Sequence, residues 1–379
     1  MRTVYLDYNA TTPLAPAVQE AMLPFLAEHF GVPSAAHALG RAAHEAVEDA
    51  RTRVARLLGA NRNEIVFTSG GTESNNLALW GVAMSRAPGA TGHIVISAVE
   101  HASVFAPAQF LESLGYGLTI VGCDRQGTVD PRSVEAAIRS DTVLVSVMHA
   151  NDEIGTIEPI DRIADVCHAR GVLLHTDAVQ SVGKIVTQVT DLGVDLLSLS
   201  GHKMYAPKGV GALFVRRGIA LEPLIHGAGC EGGLRSGTQN VANIVALGHA
   251  CSLAEKEMSE AGDRMSALRD RLADHLLEAV GPSLTINAAE ALRLPNTLSV
   301  NFPDANGQRL LSRLPELCAS TAAAGNDQPE NLCPTLAAIG LQPTVAQGTI
   351  RLTLGWYTCE EDIDHAANLL LTAWDGVQL

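Results

Sequence analysis

Short apolar runs alternate with longer amphipathic stretches from about residue 45 to residue 215, and this alternation constrains the fold most strongly. The runs are apolar throughout, which indicates strands buried on both faces, as in a mainly parallel sheet covered by helices. We therefore predict an α/β fold whose large domain is built on a mainly parallel, seven-stranded sheet. The predicted strands are Glu64–Thr68, His93–Ser97, Leu118–Gly122, Thr142–Met148, Val172–Thr176, Leu196–Ser200 and Gly211–Val215, and the predicted helices are Ala42–Leu58, Glu73–Ser85, Val104–Leu114, Pro131–Arg139 and Ile160–Arg170.

The pattern changes after residue 241. Val241–Val280 is helical with interleaved charges, and the stretch Thr321–Gln347 is punctuated by proline and glycine, which predicts a loop with one short helix. We predict an N-terminal arm at 1–15 that joins the small domain, a large domain at 16–255, and a smaller C-terminal α+β domain at 256–379. The elements predicted for this last domain are the strands Thr297–Phe302 and Thr349–Leu354 and the helices Gln308–Leu314 and Glu360–Leu371.

Composition excludes several classes of function. The chain has 26 Lys and Arg against 41 Asp and Glu, a formal net charge of −15, whereas nonspecific nucleic-acid binding needs clustered basic residues. No apolar run reaches the roughly 18 residues of a membrane span, so neither nucleic acid nor a membrane is an expected partner. The seven cysteines are scattered without a CxxC pair, so no metal site and no disulfide framework is expected. Without an apolar signal region after Met1, a reducing cytoplasm is the expected compartment.

Lys203 has the most informative local sequence. It follows the apolar run Val194–Leu199 and precedes a turn rich in proline and glycine, after which comes the strand Gly211–Val215. A lysine at the end of a buried strand loses its proton readily, and the free amine is the nucleophile toward an aldehyde cofactor. A surface lysine in a turn shows the same local pattern, so the other strand ends have to distinguish the two interpretations.

Two further strand ends carry groups that suit a phosphorylated ring. Gly71 and Thr72 open a helix directly after a strand, where N–H groups and the helix dipole attract phosphate; a glycine turn capped by threonine is also common. Asp177 ends another strand and is suited to a protonated pyridine nitrogen, or else to capping the next helix. Gln180 is suited to the phenol oxygen of the same ring, or is an ordinary exposed polar residue.

His101 and Asn151 follow two more strands. An imidazole stacks on a flat ring and moves protons near neutral pH, although a single histidine is more often packed or solvated. Asn151 provides a polar amide at its strand end. Ligands of open α/β sheets bind outside the carboxyl ends of the strands, so the five ends together predict a pyridoxal phosphate site.

Long motifs are spread nearly from end to end of the chain. They lie at 5–13, 37–41, 68–76, 100–101, 151–155, 177–184, 200–203, 235–238, 294–297 and 349–355. Through these motifs the chain resembles the cysteine desulfurase family, within the class V aminotransferases of fold type I pyridoxal phosphate enzymes.

The resemblance implies roles for individual residues. Lys203 is the expected Schiff-base lysine and proton shuttle, and His101 is the stacking base. Asp177 is expected to hold the pyridine nitrogen, and Gln180 the phenol oxygen.

The resemblance also implies how substrate and subunits are arranged. Arg351 is expected to grip the substrate α-carboxylate, because a planar fork suits that task, and Asn151 is expected to help bind cofactor and substrate at the same end. Thr238 matches a residue that reaches the phosphate of the neighbouring subunit, which implies a homodimer. The expected phosphate-binding positions are Gly71, Thr72, Ser200 and His202.

The resemblance fails where a desulfurase needs its second nucleophile. In the family, a mobile loop carries a cysteine that takes up sulfur as a persulfide. Here the corresponding string runs from Ala319 to Asp327, and Gly325 stands at the cysteine position, 26 residues before Arg351. Cys333 and Cys230 are the candidate replacements, and each is equally consistent with a buried or inert thiol.

We therefore expect a pyridoxal phosphate C–S lyase that acts by β-elimination on L-cysteine or, more specifically, on an S-substituted L-cysteine. A second interpretation is a genuine desulfurase that uses Cys333 or Cys230, or that passes sulfur directly to an acceptor. The same fold also permits decarboxylation, deamination, epimerisation or transamination of a cysteine conjugate, and a non-enzymatic scaffold is the last interpretation. The identity of the group on sulfur is left open by the sequence.

Overall fold

The computed structural model of the protein describes residues 3–86, 89, 91–321 and 333–376. Strands in this part of the chain form a seven-stranded sheet, a four-stranded sheet and a two-stranded pair. The strands are β1 Val4–Tyr5, β2 Ile65–Thr68, β3 His93–Ser97, β4 Gly117–Val121, β5 Thr142–Ser146, β6 Leu173–Asp177, β7 Leu196–Ser200, β8 Gly211–Val215, β9 Thr285–Ile286, β10 Thr297–Asn301, β11 Leu317–Cys318, β12 Ser320–Thr321 and β13 Thr349–Thr353.

Helices cover both faces of the large sheet and one face of the small one. Within the described residues, three single turns of 3-10 helix supplement them at Arg62–Glu64, Gly201–Lys203 and Glu231–Gly233. The α-helices are α1 Pro16–Met22, α2 Pro24–Ala27, α3 Ala38–Leu58, α4 Gly71–Met84, α5 Ala102–Ser113, α6 Pro131–Ala137, α7 Ile160–Ala169, α8 Val189–Leu192, α9 Val241–Val280, α10 Gly307–Ser312, α11 Pro334–Ala338, α12 Pro343–Ala346 and α13 Glu360–Asp375. Among the described residues, no helix has the length and apolar character needed to cross a membrane.

The seven-stranded sheet has the order β2-β8-β7-β6-β5-β3-β4. All neighbouring pairs are parallel except those of β8, which runs antiparallel to β2 and to β7. The predicted fold class is therefore confirmed. Because β2 runs in the same direction as the parallel strands, the carboxyl ends of β2, β3, β5, β6 and β7 meet at one edge of the sheet.

The strands of this sheet are buried on both faces. Successive side chains alternate between two cores: Ile94 and Ile96 of β3 pack on one side, and Val95 packs on the other. Since side chains of a strand point alternately to opposite faces, a strand that separates two helical layers has to be apolar throughout. This is the physical reason for the continuous apolar runs in the sequence.

A second core supports the antiparallel sheet β12-β13-β10-β9. The N-terminal segment belongs to it, because β1 pairs with β11 and both Val4 and Leu6 are buried in this core. Helix α9 contributes to both cores: its buried residues up to Ala254 pack with the large sheet, and those from Ala261 onward pack with the small one. The division at 15/16 and 255/256 stays a prediction, and its second boundary falls within this continuous helix.

The prediction of one short helix in Thr321–Gln347 is wrong, because the described part of that stretch has two, α11 and α12. Proline is the first residue of each, where its fixed φ favours a helix start and its missing N–H costs nothing. Gly340, at φ 75°, follows α11 and takes the left-handed conformation that commonly ends a helix. The segment Thr321–Gln347 is rich in proline and glycine because two helices begin and end within it.

Candidate active site

A cavity of about 210 Å³ lies at the edge where the carboxyl ends of the strands meet. It brings together most of the residues predicted from separate strand ends. Those on its wall are Gly71, Thr72, His101, Asp177, Gln180, Ser200, His202 and Lys203. Asn75, Ser103, Met148, Ala150, Asp152 and Val179 complete the wall.

The first turn of α4 forms one end of the cavity. No side chain caps this helix at Gly70, whose φ of 154° is a conformation that side chains rarely adopt. Gly71 is equally constrained, because a Cβ atom there would lie 2.5 Å from Cγ2 of Val179. The uncapped N–H groups, the Thr72 hydroxyl and Ser200 opposite them make an anion cradle.

His202 lies beside this cradle. Burial, helped by the positive charge of Lys203, lowers the pKa of the imidazole to about 4, so that the ring is neutral at pH 7. Its Nδ1 atom lies 3.2 Å from Oγ1 of Thr11. A neutral imidazole next to an uncapped helix start supplies a hydrogen bond to an anion without adding a full charge.

Asp177 also lies on the wall of the cavity and is only 4% exposed. Its Oδ1 atom accepts from the Val179 N–H at 2.9 Å, and its Oδ2 atom accepts from Nδ2 of Asn75 at 2.7 Å. Burial raises the pKa of this carboxyl, and no described residue forms an ion pair with it. A buried carboxylate supported only by neutral donors calls for a cationic ligand group, such as a protonated pyridine nitrogen.

Lys203 ends the 3-10 turn that follows β7. Its Nζ atom donates to the backbone oxygen atoms of Asn9 and of Ala10, at 2.9 Å for the latter. Burial lowers the pKa of the amine, and the nearby carboxylate of Asp152 opposes this shift. The fold thus increases the fraction of Lys203 that is uncharged near neutral pH. The uncharged amine is the form that attacks an aldehyde.

Gln180 is held by a second buried lysine that the sequence did not single out. Lys184 Nζ donates to Oε1 of Gln180 at 2.6 Å and to Oδ1 of Asn9 at 3.0 Å. Burial, with the charge of Lys203, lowers the pKa of Lys184 well below its ordinary value. Gln180 Nε2 donates to the Asn9 oxygen at 3.0 Å, so its remaining N–H is free for the cavity. The sequence signal was the position of Lys184 at the end of the 177–184 motif, four residues after Gln180.

A second chamber of about 770 Å³ adjoins the first and shares His101 and Asp152 with it. Arg351 of β13 lies on its wall. The guanidinium contacts three carboxylates, at 3.2 Å to Asp7, 3.5 Å to Asp152 and 3.2 Å to Glu153. Its buried Nε atom has no partner among the described residues.

Glu153 is the most deeply buried of these carboxyls. Burial raises its pKa to about 7, although the positive charge of Arg351 opposes the shift. Its Oε1 atom has no described partner. Glu153 therefore changes charge in the physiological range while it touches the predicted substrate-binding arginine.

The structure does not bring Asn151 or Thr238 to the wall of either cavity. Asn151 is fully buried: its Nδ2 atom donates to the Val99 oxygen and to Thr335 Oγ1, both at 3.1 Å. Its Oδ1 atom accepts from the N–H groups of Glu153 and Ile154. The amide thus bonds to its own loop and to Val99 and Thr335. The contact with cofactor and substrate stays a prediction. Thr238 is exposed, and its contact with a neighbouring subunit stays a prediction.

Neither candidate thiol resembles an activated nucleophile. Cys333 lies on the wall of the large chamber, but burial and the charge of Glu153 raise its pKa to about 11. Cys230 precedes the turn Glu231–Gly233, away from both cavities. Gly325 lies outside the described residues.

The wall of the smaller cavity fits pyridoxal phosphate. It provides an uncapped helix start for the phosphate, a buried carboxylate for the ring nitrogen and a half-buried amine for the aldehyde carbon. Each group lies at a different strand end, as predicted from the sequence. The individual roles of these residues stay predictions.

Comparison with known proteins agrees with this geometry. The family described as aminotransferase class-V matches residues 4–366. The chain is 45% identical to a protein named cysteine desulfurase IscS from Dictyoglomus turgidum, over 97% of this chain and 94% of that protein. A solved NifS-like protein superposes with a TM-score of 0.91 at 38% identity, covering 99% of both chains. A structure described as SspA in complex with cysteine gives 0.84 at 38% identity, covering 94% of this chain and 100% of the other.

Proposed function

Because the chain belongs to the aminotransferase class-V family of pyridoxal phosphate enzymes, we propose that it cleaves the C–S bond of an S-substituted L-cysteine by β-elimination. The observation that carries this proposal is the lack of a usable thiol beside the site. No cysteine stands between residues 319 and 332. Cys333 is protonated near neutral pH because its pKa is raised to about 11, whereas the nucleophile in sulfur transfer is the thiolate.

The large chamber supports a substrate with a group on sulfur. Its volume of about 770 Å³ is within the range typical of small-molecule sites. Apolar side chains, including Leu311 and Pro334, lie on the same wall as Arg351. A substrate held by its α-carboxylate at Arg351 has its sulfur substituent near this wall.

Lys203 is the proposed base for the α-proton. When bound, pyridoxal phosphate withdraws electrons from the α-carbon. The lowered pKa of Lys203 leaves its amine free to take the proton. The C–H electron pair then forms the Cα–Cβ double bond, and the Cβ–S pair leaves with sulfur as a thiolate. Hydrolysis of the unsaturated amine yields pyruvate and ammonia.

The test compares free L-cysteine with S-benzyl-L-cysteine as a bulky probe. We expect pyruvate, ammonia and benzyl thiol in equal amounts from the conjugate, and no product with the K203A control. Mass spectrometry of the products separates elimination from decarboxylation, epimerisation and transamination. Faster formation of alanine or persulfide from free cysteine than of pyruvate from the conjugate would contradict the proposal.

Sulfur transfer from free cysteine is the second candidate, since the similar proteins are named cysteine desulfurases. It requires either a displaced thiol or direct transfer to an acceptor. The variants C333S and C230S separate these routes, because loss of alanine formation identifies the thiol. Alanine formation that survives in the double variant supports direct transfer.

We further propose a cytoplasmic homodimer in which Thr238 reaches the phosphate of the neighbouring subunit. Its loop is anchored near the cradle of its own chain, because Arg235 Nε donates to Glu73 Oε1 at 3.0 Å. Mixing K203A chains with T238A chains tests this arrangement, since a hybrid dimer then has one complete site. Recovery of cofactor binding at one site per hybrid dimer is expected, and recovery of none would contradict it.

A further inference from the structure

Four side chains on the wall of the smaller cavity are connected to one another by hydrogen bonds. His101 caps α5, and its Nδ1 atom accepts from the Ser103 N–H at 3.1 Å. The Ser103 Oγ atom lies 2.7 Å from the same Nδ1 and 2.8 Å from Nδ2 of Asn75. Asn75 Nδ2 also lies 2.7 Å from Oδ2 of Asp177.

Donor and acceptor rules determine the direction of each bond. An amide nitrogen only donates, so Asn75 uses its two hydrogens on Ser103 and on Asp177. The Ser103 hydroxyl accepts from Asn75, and its single hydrogen is then directed to Nδ1 of His101. Nδ1 of His101 therefore accepts hydrogen bonds from both the N–H and the hydroxyl of Ser103. An acceptor of this kind carries a lone pair and not a proton.

We propose that Ser103 and Asn75 are positioning residues that fix His101 as the tautomer with its proton on Nε2, so that the ring presents an N–H to the cofactor cavity. No described residue bonds Nε2, and the ring lies on the cavity wall. The tautomer of a histidine follows from the bond made by its other nitrogen. The amide group of Asn75 has two roles, because it donates both to the Ser103 hydroxyl and to the carboxylate of Asp177.

The tautomer decides which proton transfers His101 is able to perform. A nitrogen that already carries a proton is a hydrogen-bond donor and not a base. Lys203 is then the group left to take the α-proton, and His101 provides a hydrogen bond, not a proton, to the ring or to the departing sulfur. The inference rests on the proposed function only for this consequence, because the tautomer is measured without turnover.

The experiment uses the holoenzyme labelled with ¹⁵N in its histidines. Two-bond ¹H–¹⁵N spectra distinguish a protonated from an unprotonated ring nitrogen, and the H101N variant identifies the signals of His101 among the 13 histidines. We expect an unprotonated Nδ1 and a protonated Nε2 in the natural protein. A protonated Nδ1 there would overturn the inference.

Ser103 variants test the hydroxyl. We expect S103A to shift the Nδ1 signal toward the protonated type, because one of its two donors is lost, and S103T to restore the original position. The matched control is S113A, at the exposed end of the same helix, where Oγ donates to the Phe110 oxygen. An unchanged Nδ1 signal in S103A would show that the backbone N–H alone sets the tautomer.

Asn75 variants test the hydrogen bond from Asn75 to Asp177. We expect N75L to raise the dissociation constant of pyridoxal phosphate at least about tenfold, because Asp177 loses a buried donor to its charge. The cofactor is titrated by absorbance, and circular dichroism confirms folding. A dissociation constant within about twofold of the natural value would exclude a role for Asn75.

Discussion

The Nη1 atom of Arg351 lies 3.2 Å from Oε2 of Glu153, so the arginine predicted to bind the substrate carboxylate is already paired with a buried acid of its own chain. A substrate carboxylate has to compete with Glu153 for the same donor. The outcome depends on the charge of Glu153, whose pKa is raised to about 7 by burial. Substrate affinity should therefore depend on pH.

We predict that KM for the cysteine substrate rises as the pH rises through about 7. Below that pH Glu153 is protonated and competes weakly for Arg351, and above it the ionised carboxylate competes fully. Initial rates between pH 6 and pH 8.5, about one unit or more to each side, give the profile. The E153Q variant should have a low KM that no longer changes over this range. A rising KM that persists in E153Q would assign the effect to another group.

Replacement of Arg351 by lysine tests the geometry of carboxylate binding. We expect R351K to raise KM by about tenfold or more, because lysine keeps the charge but loses the planar fork. The change is measured at saturating cofactor, and cofactor affinity should be unaffected. Equal KM values for the two proteins would remove Arg351 from the substrate site.

A cysteine at position 325 tests whether the missing thiol explains the proposed reaction. We expect G325C to gain alanine formation from free cysteine and to lose it again after alkylation. G325S is the matched control, since it adds a side chain of similar size without a thiolate. If G325C forms no alanine, more than the nucleophile separates this enzyme from the desulfurases.

Substitution of Lys184 by methionine tests the buried amine. The change leaves Oε1 of Gln180 without its donor, whereas Oδ1 of Asn9 keeps the amide of Asn296 at 3.0 Å. One unpaired buried acceptor costs about 1 to 3 kcal/mol. Denaturation by urea should therefore show a loss of stability, and cofactor titration should show weaker binding.

The pH dependence of this stability loss has a definite sign. The pKa of Lys184 is lowered by burial, so the unfolded chain binds more protons than the folded one below its ordinary pKa of about 10.4. The stability difference between the natural protein and K184M should consequently grow as the pH rises toward that value. A constant difference would indicate that Lys184 keeps its ordinary pKa in the folded state.

Leu199 tests the support of the Lys203 turn. This side chain is fully buried in β7, four residues before the lysine. We expect L199A to cost about 2 to 5 kcal/mol of unfolding free energy through lost burial and the cavity that remains. V186A, at an exposed position, is the control and should cost little.

Much of the fold was predictable because local patterns determine it. Strands β3, β7 and β8 have the predicted bounds, since continuous apolar runs end where the chain leaves the sheet. The strand ends also placed His101 and Asp177 at one edge, because parallel strands share a direction. A few residues of flanking sequence were enough for these assignments.

Contacts between distant segments were not predictable in the same way. The backbone oxygen of Asn9 accepts a hydrogen bond from Lys203, which lies 194 positions further along the chain. Nothing in the local sequence indicates that pairing. Asn151 carried the polar side chain expected at a strand end, but its amide bonds to its own loop and to Val99 and Thr335. A polar residue near a site either faces the ligand or supports the loop, and only the packing decides which.

The 40-residue helix α9, about 60 Å long, has a consequence for how the enzyme melts. One half of it completes the core beneath Lys203, and the other half completes the core beneath Arg351. Neither core retains its full set of partners if the other unravels, so the molecule should denature in one concerted thermal transition. The reactive amine and the carboxylate-binding guanidinium then gain and lose their positions together.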